Sequence, residues 1–299
     1  MDIVDCHTHT AFSDGADGIE DNVAAAEKRG IATIACTDHL AKPAFMDCAI
    51  DETRIDELAR EIERSRERHP NVEVVFGFEA DWYAGCEADI ARAKGDATFL
   101  LGSVHYLGEF AIDWTRDMRI WERDGADAVW TEYVRTWCRA CFCPVGFDSM
   151  AHPDLVRLFE KSGYAPSIGL APLWDEMAEA ARESGVRVEV STAGLRKRLA
   201  DFYPAFGLLE RFRFAGVPIT VGSDAHRACD VGSHVESAYA YARKAGYTHI
   251  EAPTADGDWR RIRIQQRSIP RMRFIRQSHR LLILRNKGID SRKLPFLLF

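Results

Sequence analysis

Seven short runs of apolar and β-branched residues recur along the chain, at Asp2–Cys6, Ile31–Cys36, Val72–Phe78, Ala97–Val104, Val145–Ala151, Val186–Val190 and Val217–Val221. Between and after them lie longer segments whose apolar positions return at helical spacing: Glu20–Arg29, Glu52–Arg68, Glu87–Ala93, Asp127–Cys141, Leu173–Ser184, Tyr203–Ala215 and Val235–Ala245. A strand followed by a helix, repeated, is the pattern of βα units on a parallel sheet. Gly30, Gly185 and Gly216 stand where three of these helices should end, as helix C-caps do. The pattern predicts an α/β chain, and at 299 residues a single α/β barrel accommodates it.

The end of the chain breaks the pattern. Residues 253–299 hold 12 Lys+Arg against 3 Asp+Glu, whereas residues 1–252 hold 27 against 43, so the overall charge of −7 hides an acidic body and a basic tail. We expect a catalytic domain over 1–266 and a basic appendage over 267–299. The acidic body disfavours nucleic acid as the main partner, because that binding draws on clustered positive charge. No apolar run approaches the ~18 residues of a membrane span, and no export signal opens the chain, which predicts a soluble cytoplasmic protein of undetermined oligomeric state. Eight scattered cysteines then read as reduced thiols. Cys138, Cys141 and Cys143 cluster, but without a second pair at ligand spacing they read as packed thiols in preference to a zinc or redox site.

The chemistry lies at the ends of the strands, where parallel barrels build their active sites. Strand one runs into His7 and His9, strand two into Asp38 and His39, strand three into Glu79 and Asp81, strand four into His105, strand five into His152, and strand seven into Asp224 and His226. His69, His234, His249 and His279 lie elsewhere and read as ordinary packed or hydrogen-bonded side chains. His7 and His9 are two apart and share one side of an extended strand, and Asp224 and His226 repeat the spacing. Barrel closure brings those two strands together. Imidazoles with carboxylates suit Zn²⁺, Mn²⁺ or Fe, and a carboxylate such as Glu79 can bridge two ions.

The segments DCHTHT, FSDG, TDH, GFEAD, GSVH, AHPD and SDAH, in this order, resemble the motifs of the PHP (polymerase and histidinol phosphatase) superfamily. GSVHYLGEFAIDW, EVSTAGLRK, YPAFGLLERF and GSDAHRACDVG resemble its histidinol-phosphate phosphatase branch. The resemblance covers roughly residues 1–250 and implies a distorted seven-stranded (β/α) TIM-like barrel. It also implies two or three divalent ions. One would be held by His7, His9, Glu79 and Asp224, a second by Glu79, His105 and His152, and a third by His39, His226 and Asp14.

A metal-bridging hydroxide, held among Glu79, His39, Asp224 and His226, would then attack a phosphate monoester without a protein nucleophile. Ser191, Thr192 and Cys6 lack an evident base and are assigned to packing or hydrogen bonding. Strand six ends without a ligand but leads to Arg196, whose planar fork suits phosphate oxygens. The resemblance points to L-histidinol phosphate as the small-molecule substrate, a step of histidine biosynthesis. Asp81, Glu109 and Asp113 are candidates for its amine or imidazole. The alternatives are a broader phosphoesterase acting on nucleotides or diesters, and a catalytically silent PHP interaction module.

Overall fold

The computed structural model describes residues 2–40 and 48–264. The expected basic appendage and its boundary at 266 lie outside the described residues, as does His279. In chain order the elements are β1 (Ile3–Thr8), α1 (Ile19–Lys28), β2 (Ile31–Leu40), α2 (Ile55–Arg68), β3 (Glu73–Asp81), α3 (Glu87–Ala93) and β4 (Phe99–Ser103). Next come a two-residue pair of strands, β5 (Tyr106–Leu107) and β6 (Phe110–Ala111), then α4 (Arg119–Cys141), β7 (Ser149–Met150) and α5 (Ala171–Ser184). The described chain closes with β8 (Arg187–Ser191), α6 (Phe206–Ala215), β9 (Ile219–Gly222), α7 (Val235–Lys244), β10 (His249–Pro253) and β11 (Trp259–Arg263).

All seven expected strands form one parallel sheet in the order β1-β2-β3-β4-β7-β8-β9. The sheet curls until its edges meet: Thr8 bridges Ala225, the His9 N–H donates to the Ala225 carbonyl at 2.8 Å, and the Asp224 N–H donates to the His7 carbonyl at 2.8 Å. The result is the distorted seven-stranded (β/α) barrel. Val4, Cys6, Ile34, Cys36, Val74, Phe76, Val188, Val190 and Val221 are buried between sheet and helices. Burying each larger side chain of this kind contributes roughly 1.5–3 kcal/mol. α4 adds Trp130, Tyr133 and Trp137, all fully buried, with Trp137 packed 5.9 Å from Phe212 of α6.

Two boundaries differ from the sequence pattern for physical reasons. β2 and β3 run on in register through His39↔Glu79 and Leu40↔Ala80, past the point where their apolar runs end. Asp38, His39, Glu79 and Asp81 in these extensions are polar yet buried, so strand pairing continues past the apolar runs. α4 starts earlier than expected, at Arg119, because a kink at Gly125 (φ 77°) joins a preceding turn to it. Gly30, Gly185 and Gly216 end helices at φ 69°, 76° and 80°, the left-handed region that costs glycine least. The β10–β11 hairpin packs Trp259 against Phe99 and stacks Arg187 over its ring.

Candidate active site

Strand alternation builds the site. Val4 and Cys6 of β1 join the core between sheet and helices, so Asp5, His7 and His9 share the opposite face, inside the barrel, and Glu79 and Asp81 of β3 do the same. Glu79, only 1% exposed, is the hub. Its Oε2 lies 3.1 Å from His7 Nε2, 3.4 Å from His9 Nε2 and 3.2 Å from His39 Nδ1. Its Oε1 lies 2.9 Å from His152 Nε2 and 3.6 Å from His105 Nε2. Asp224 Oδ1 reaches His9 Nε2 at 3.4 Å and His226 Nδ1 at 3.5 Å. Asp14 Oδ1 reaches His226 Nε2 at 3.3 Å and His39 Nε2 at 3.7 Å.

The structure thus brings together all nine expected metal-site residues. They fall into four overlapping groups whose ligand atoms lie within 4.8 Å of one another: His7, His9 and Asp224; His7, Glu79 and His152; His39, Glu79 and His105; and His9, Asp14, His39 and His226. His9 therefore also sits in the group built around Asp14, a neighbour the sequence did not assign there.

The hydrogen bonds show that these residues fit a cation. His7 Nδ1–H donates to Glu189 Oε1 at 3.0 Å, and His105 Nδ1–H donates to Asp81 Oδ1 at 2.7 Å. A carboxylate only accepts, so in each neutral imidazole the Nε2 lone pair faces the Glu79 carboxylate. His7 Nε2 and His9 Nε2 also face each other at 3.0 Å. Lone pairs converging on a buried carboxylate repel unless protons or metal ions lie between them. His9 Nδ1, His152 Nδ1 and Glu79 Oε1 are buried without a hydrogen-bond partner, which adds to the demand. Burial would raise the Glu79 carboxyl, but the positive charge that His7 and the neighbouring imidazoles carry when protonated outweighs it and holds it well below the usual range; a bound cation would supply positive charge in the same place. Asp224 is likewise raised by burial and lowered further by Lys197 and His9, to a net depression. Burial drives His39 down to about 3, which favours its neutral, ligand form.

Four further carboxylates hold this cluster in place, a task the sequence reading assigned to none of them. Glu189, fully buried in β8, takes the His7 ring on one oxygen and the His152 backbone N–H at 2.7 Å on the other. Strand six therefore does support the cluster, through Glu189. Asp5 accepts from Ser223 N, Ser223 Oγ and Gly232 N and so fixes the loop that carries Asp224. Asp38 accepts from Thr10 N, Thr10 Oγ1 and Ser13 Oγ, which fixes the loop leading to Asp14. Asp81, expected as a substrate contact, is buried and committed to His105 and Ser103. The packing tolerates no side chain at Gly222, where a Cβ would stand 2.1 Å from Glu189 Oε1 and 2.5 Å from His7 Cβ. His152 (φ 22°) and Asp224 (φ 53°) hold left-handed backbone, strain that persists because these bonds over-determine it. Glu189→Gln keeps the shape but removes the charge that orients His7; metal affinity or kcat/KM should fall roughly 10–100-fold, read by metal titration and phosphate release. Unchanged values would show that His7 is oriented by packing alone.

A cavity of about 480 Å³ opens onto the cluster. Asp14, His39, Glu79, His105, Asp224 and His226 form its floor, while Tyr106, Glu109, Asp113, Trp114, Asp117 and Arg119 line it further out. Lys197 is the cation beside the floor, with Nζ 3.2 Å from Asp224 Oδ2. Arg196 is turned elsewhere: its Nη2 donates to the Ser223 and Asp224 carbonyls at 2.6 and 3.0 Å, and it does not line the cavity. The short turn Ala193–Leu195 reverses the chain after β8 and sends these two neighbours to opposite tasks. Thr192 Oγ1 donates to the Ser233 carbonyl, and burial pushes the Cys6 thiol up, which suits packing and not nucleophilic attack.

Comparison with known proteins agrees with this geometry. A probable histidinol-phosphatase of Deinococcus radiodurans is 28% identical over 250 residues, covering 82% of this chain and 94% of that protein. The histidinol-phosphatase of Bacillus subtilis is 26% identical over 261 residues, covering 78% and 97%. The fold matches the crystal structure of a histidinol phosphate phosphatase from Lactococcus lactis, complexed with zinc, L-histidinol and phosphate, with a TM-score of 0.74 at 20% identity over 86% of this chain and 98% of that one. Residues 5–193 match the PHP domain, and the chain belongs to that family.

Proposed function

We propose that the chain hydrolyses L-histidinol phosphate to L-histidinol and phosphate, a step of histidine biosynthesis, at the centre built around Glu79. One observation carries the reading: nine ligand side chains cluster together, six of them on the floor of a cavity whose outer wall is acidic and aromatic. The two ends match the two ends of the substrate, a phosphate dianion and a cationic amine beside an imidazole. The relatives named for this activity are aligned over nearly their whole length.

The nine residues fit two or three divalent ions of the zinc or manganese class. Bound there, such ions polarise phosphoryl oxygens and lower the pKa of water toward neutrality. The chain's own residues do the rest. Glu79, Asp224 and Asp14 balance the positive charge and, with the imidazoles, fix where the phosphoryl group sits. Glu189 and Asp81 hold His7 and His105 in the tautomer that leaves Nε2 available. Lys197 offers a positive charge to the phosphate oxygens beside Asp224. Glu109 and Asp113 face the cavity where the substrate's ammonium and imidazole groups would lie, and Trp114 and Tyr106 supply flat apolar surface. Asp117 is paired with Arg119 at 2.8 Å and is less suited to that task.

Two measurements test the reading. Phosphate release from L-histidinol phosphate, a nucleoside monophosphate, a phosphotyrosine peptide and a phosphodiester should favour the first by about 100-fold or more in kcat/KM, since a site that pairs with a substrate's polar groups rejects analogues lacking them. Equal rates across the panel would make the chain a general phosphoesterase. Asp113→Asn should raise KM for L-histidinol phosphate roughly ten-fold or more, the worth of a charged hydrogen bond, and leave an uncharged alkyl phosphate unaffected. An equal effect on both esters would remove Asp113 from substrate selection.

A further inference from the structure

A second set of metal-ligating side chains lies away from the catalytic cavity. Cys86 is buried at the start of α3, and Cys143 is buried in the turn after α4. Far apart in sequence, their sulfurs stand 3.8 Å apart. Glu87, half-buried, completes the group: its carboxylate oxygen and both sulfurs lie within 4.8 Å of one another. None of the three lines the catalytic cavity. The cysteine cluster visible in the sequence is thereby rearranged, because Cys143 joins Cys86 while Cys138 and Cys141 stay outside the group.

The sulfur separation is informative. A disulfide would draw the two atoms to about 2.0 Å, so the pair is not bonded. Two thiolates on one tetrahedral zinc, each at about 2.3 Å, stand about 3.8 Å apart, which is the separation found. Two thiolates and a carboxylate form a soft, anionic set that suits zinc better than magnesium or calcium. Glu87 is half-buried beside the two buried cysteines, so the group is not wholly sealed from solvent.

We propose that Cys86, Cys143 and Glu87 form a separate site for a divalent cation of the zinc class, with a fourth position taken by water. The cation ties the beginning of α3 to the end of α4. Only Trp82–Gly85 separate Cys86 from Asp81, which holds His105 of the catalytic floor, so the site anchors the far end of the segment leaving β3.

Cobalt tests the proposal without relying on turnover. The catalytic groups offer imidazole and carboxylate alone, whereas thiolate ligands add an intense near-ultraviolet charge-transfer absorption. Full-length protein stripped with a chelator and loaded with Co²⁺ beyond what the catalytic groups take up should develop that absorption at the intensity of about one thiolate-bound ion per chain. The absorption should vanish in Cys86→Ser and in Cys143→Ser and persist in Cys138→Ser. Zinc should also protect Cys86 and Cys143 of the unaltered protein from alkylation, read by peptide mass mapping, a test that needs no variant to fold. Absence of the thiolate absorption, equal alkylation with and without zinc, or recovery of Cys86 and Cys143 as one disulfide-linked peptide would each overturn the site.

Discussion

Replacing Glu79 with glutamine should empty the two ligand groups that contain it and reduce kcat/KM by roughly a thousand-fold or more. Each carboxylate oxygen serves a different set of imidazoles: Oε2 those of His7, His9 and His39, and Oε1 those of His105 and His152. The amide removes the charge that offsets two cations, and its NH₂ group can donate to the imidazole lone pairs that the metal would have used. The substitution is thus benign for the fold and hostile to the ions. A loss of ~4 kcal/mol of transition-state stabilisation corresponds to the stated factor. Elemental analysis alongside kinetics, with thermal unfolding in chelator as the control, reads all three effects. A variant with full metal content and normal turnover would remove Glu79 from its bridging position.

Lys197→Met should lower kcat/KM by about 100-fold, the effect of removing one preorganised charged donor, while leaving the metal content intact. The ammonium lies beside Asp224 at the cavity floor, where burial works against its charge but Asp224 more than restores it, so Lys197 stays protonated throughout the working range. Arg196→Ala should behave differently. Its guanidinium holds the carbonyls of Ser223 and Asp224, the latter in left-handed backbone, so its loss should loosen a metal ligand and show first as reduced metal content. Steady-state kinetics and metal analysis on both variants separate the two roles. If Arg196→Ala kept its metals and lost turnover while Lys197→Met did neither, phosphate binding would return to Arg196.

The strand-end histidines were legible because a parallel barrel converts position along a strand into position in space: His7, His39, His105 and His152 lie on four different strands or the loops just after them, yet point at one carboxylate. The residues that orient them were harder to read. Arg187 and Glu189 both interrupt the run Val186–Val190, and charge inside a strand was the available signal; the partners of Glu189, His7 and His152, arrive only when the barrel closes. Asp81 and Asp38 looked like site residues by proximity, but what they touch depends on side-chain direction, which spacing alone does not give. Arg196 and Lys197 are adjacent in the chain, and the turn between β8 and α6 decides which faces the cavity. The Cys86–Cys143 contact joins two helix ends from separate βα units and leaves no local pattern at all.

The most direct test is the dependence of L-histidinol phosphate hydrolysis on bound metal. Purified chain stripped by chelation until elemental analysis finds no zinc, manganese or iron should release no phosphate from this ester, and activity should return in proportion to the zinc or manganese taken up. Verified metal-free protein that still hydrolyses L-histidinol phosphate at the rate of the loaded protein would contradict the account.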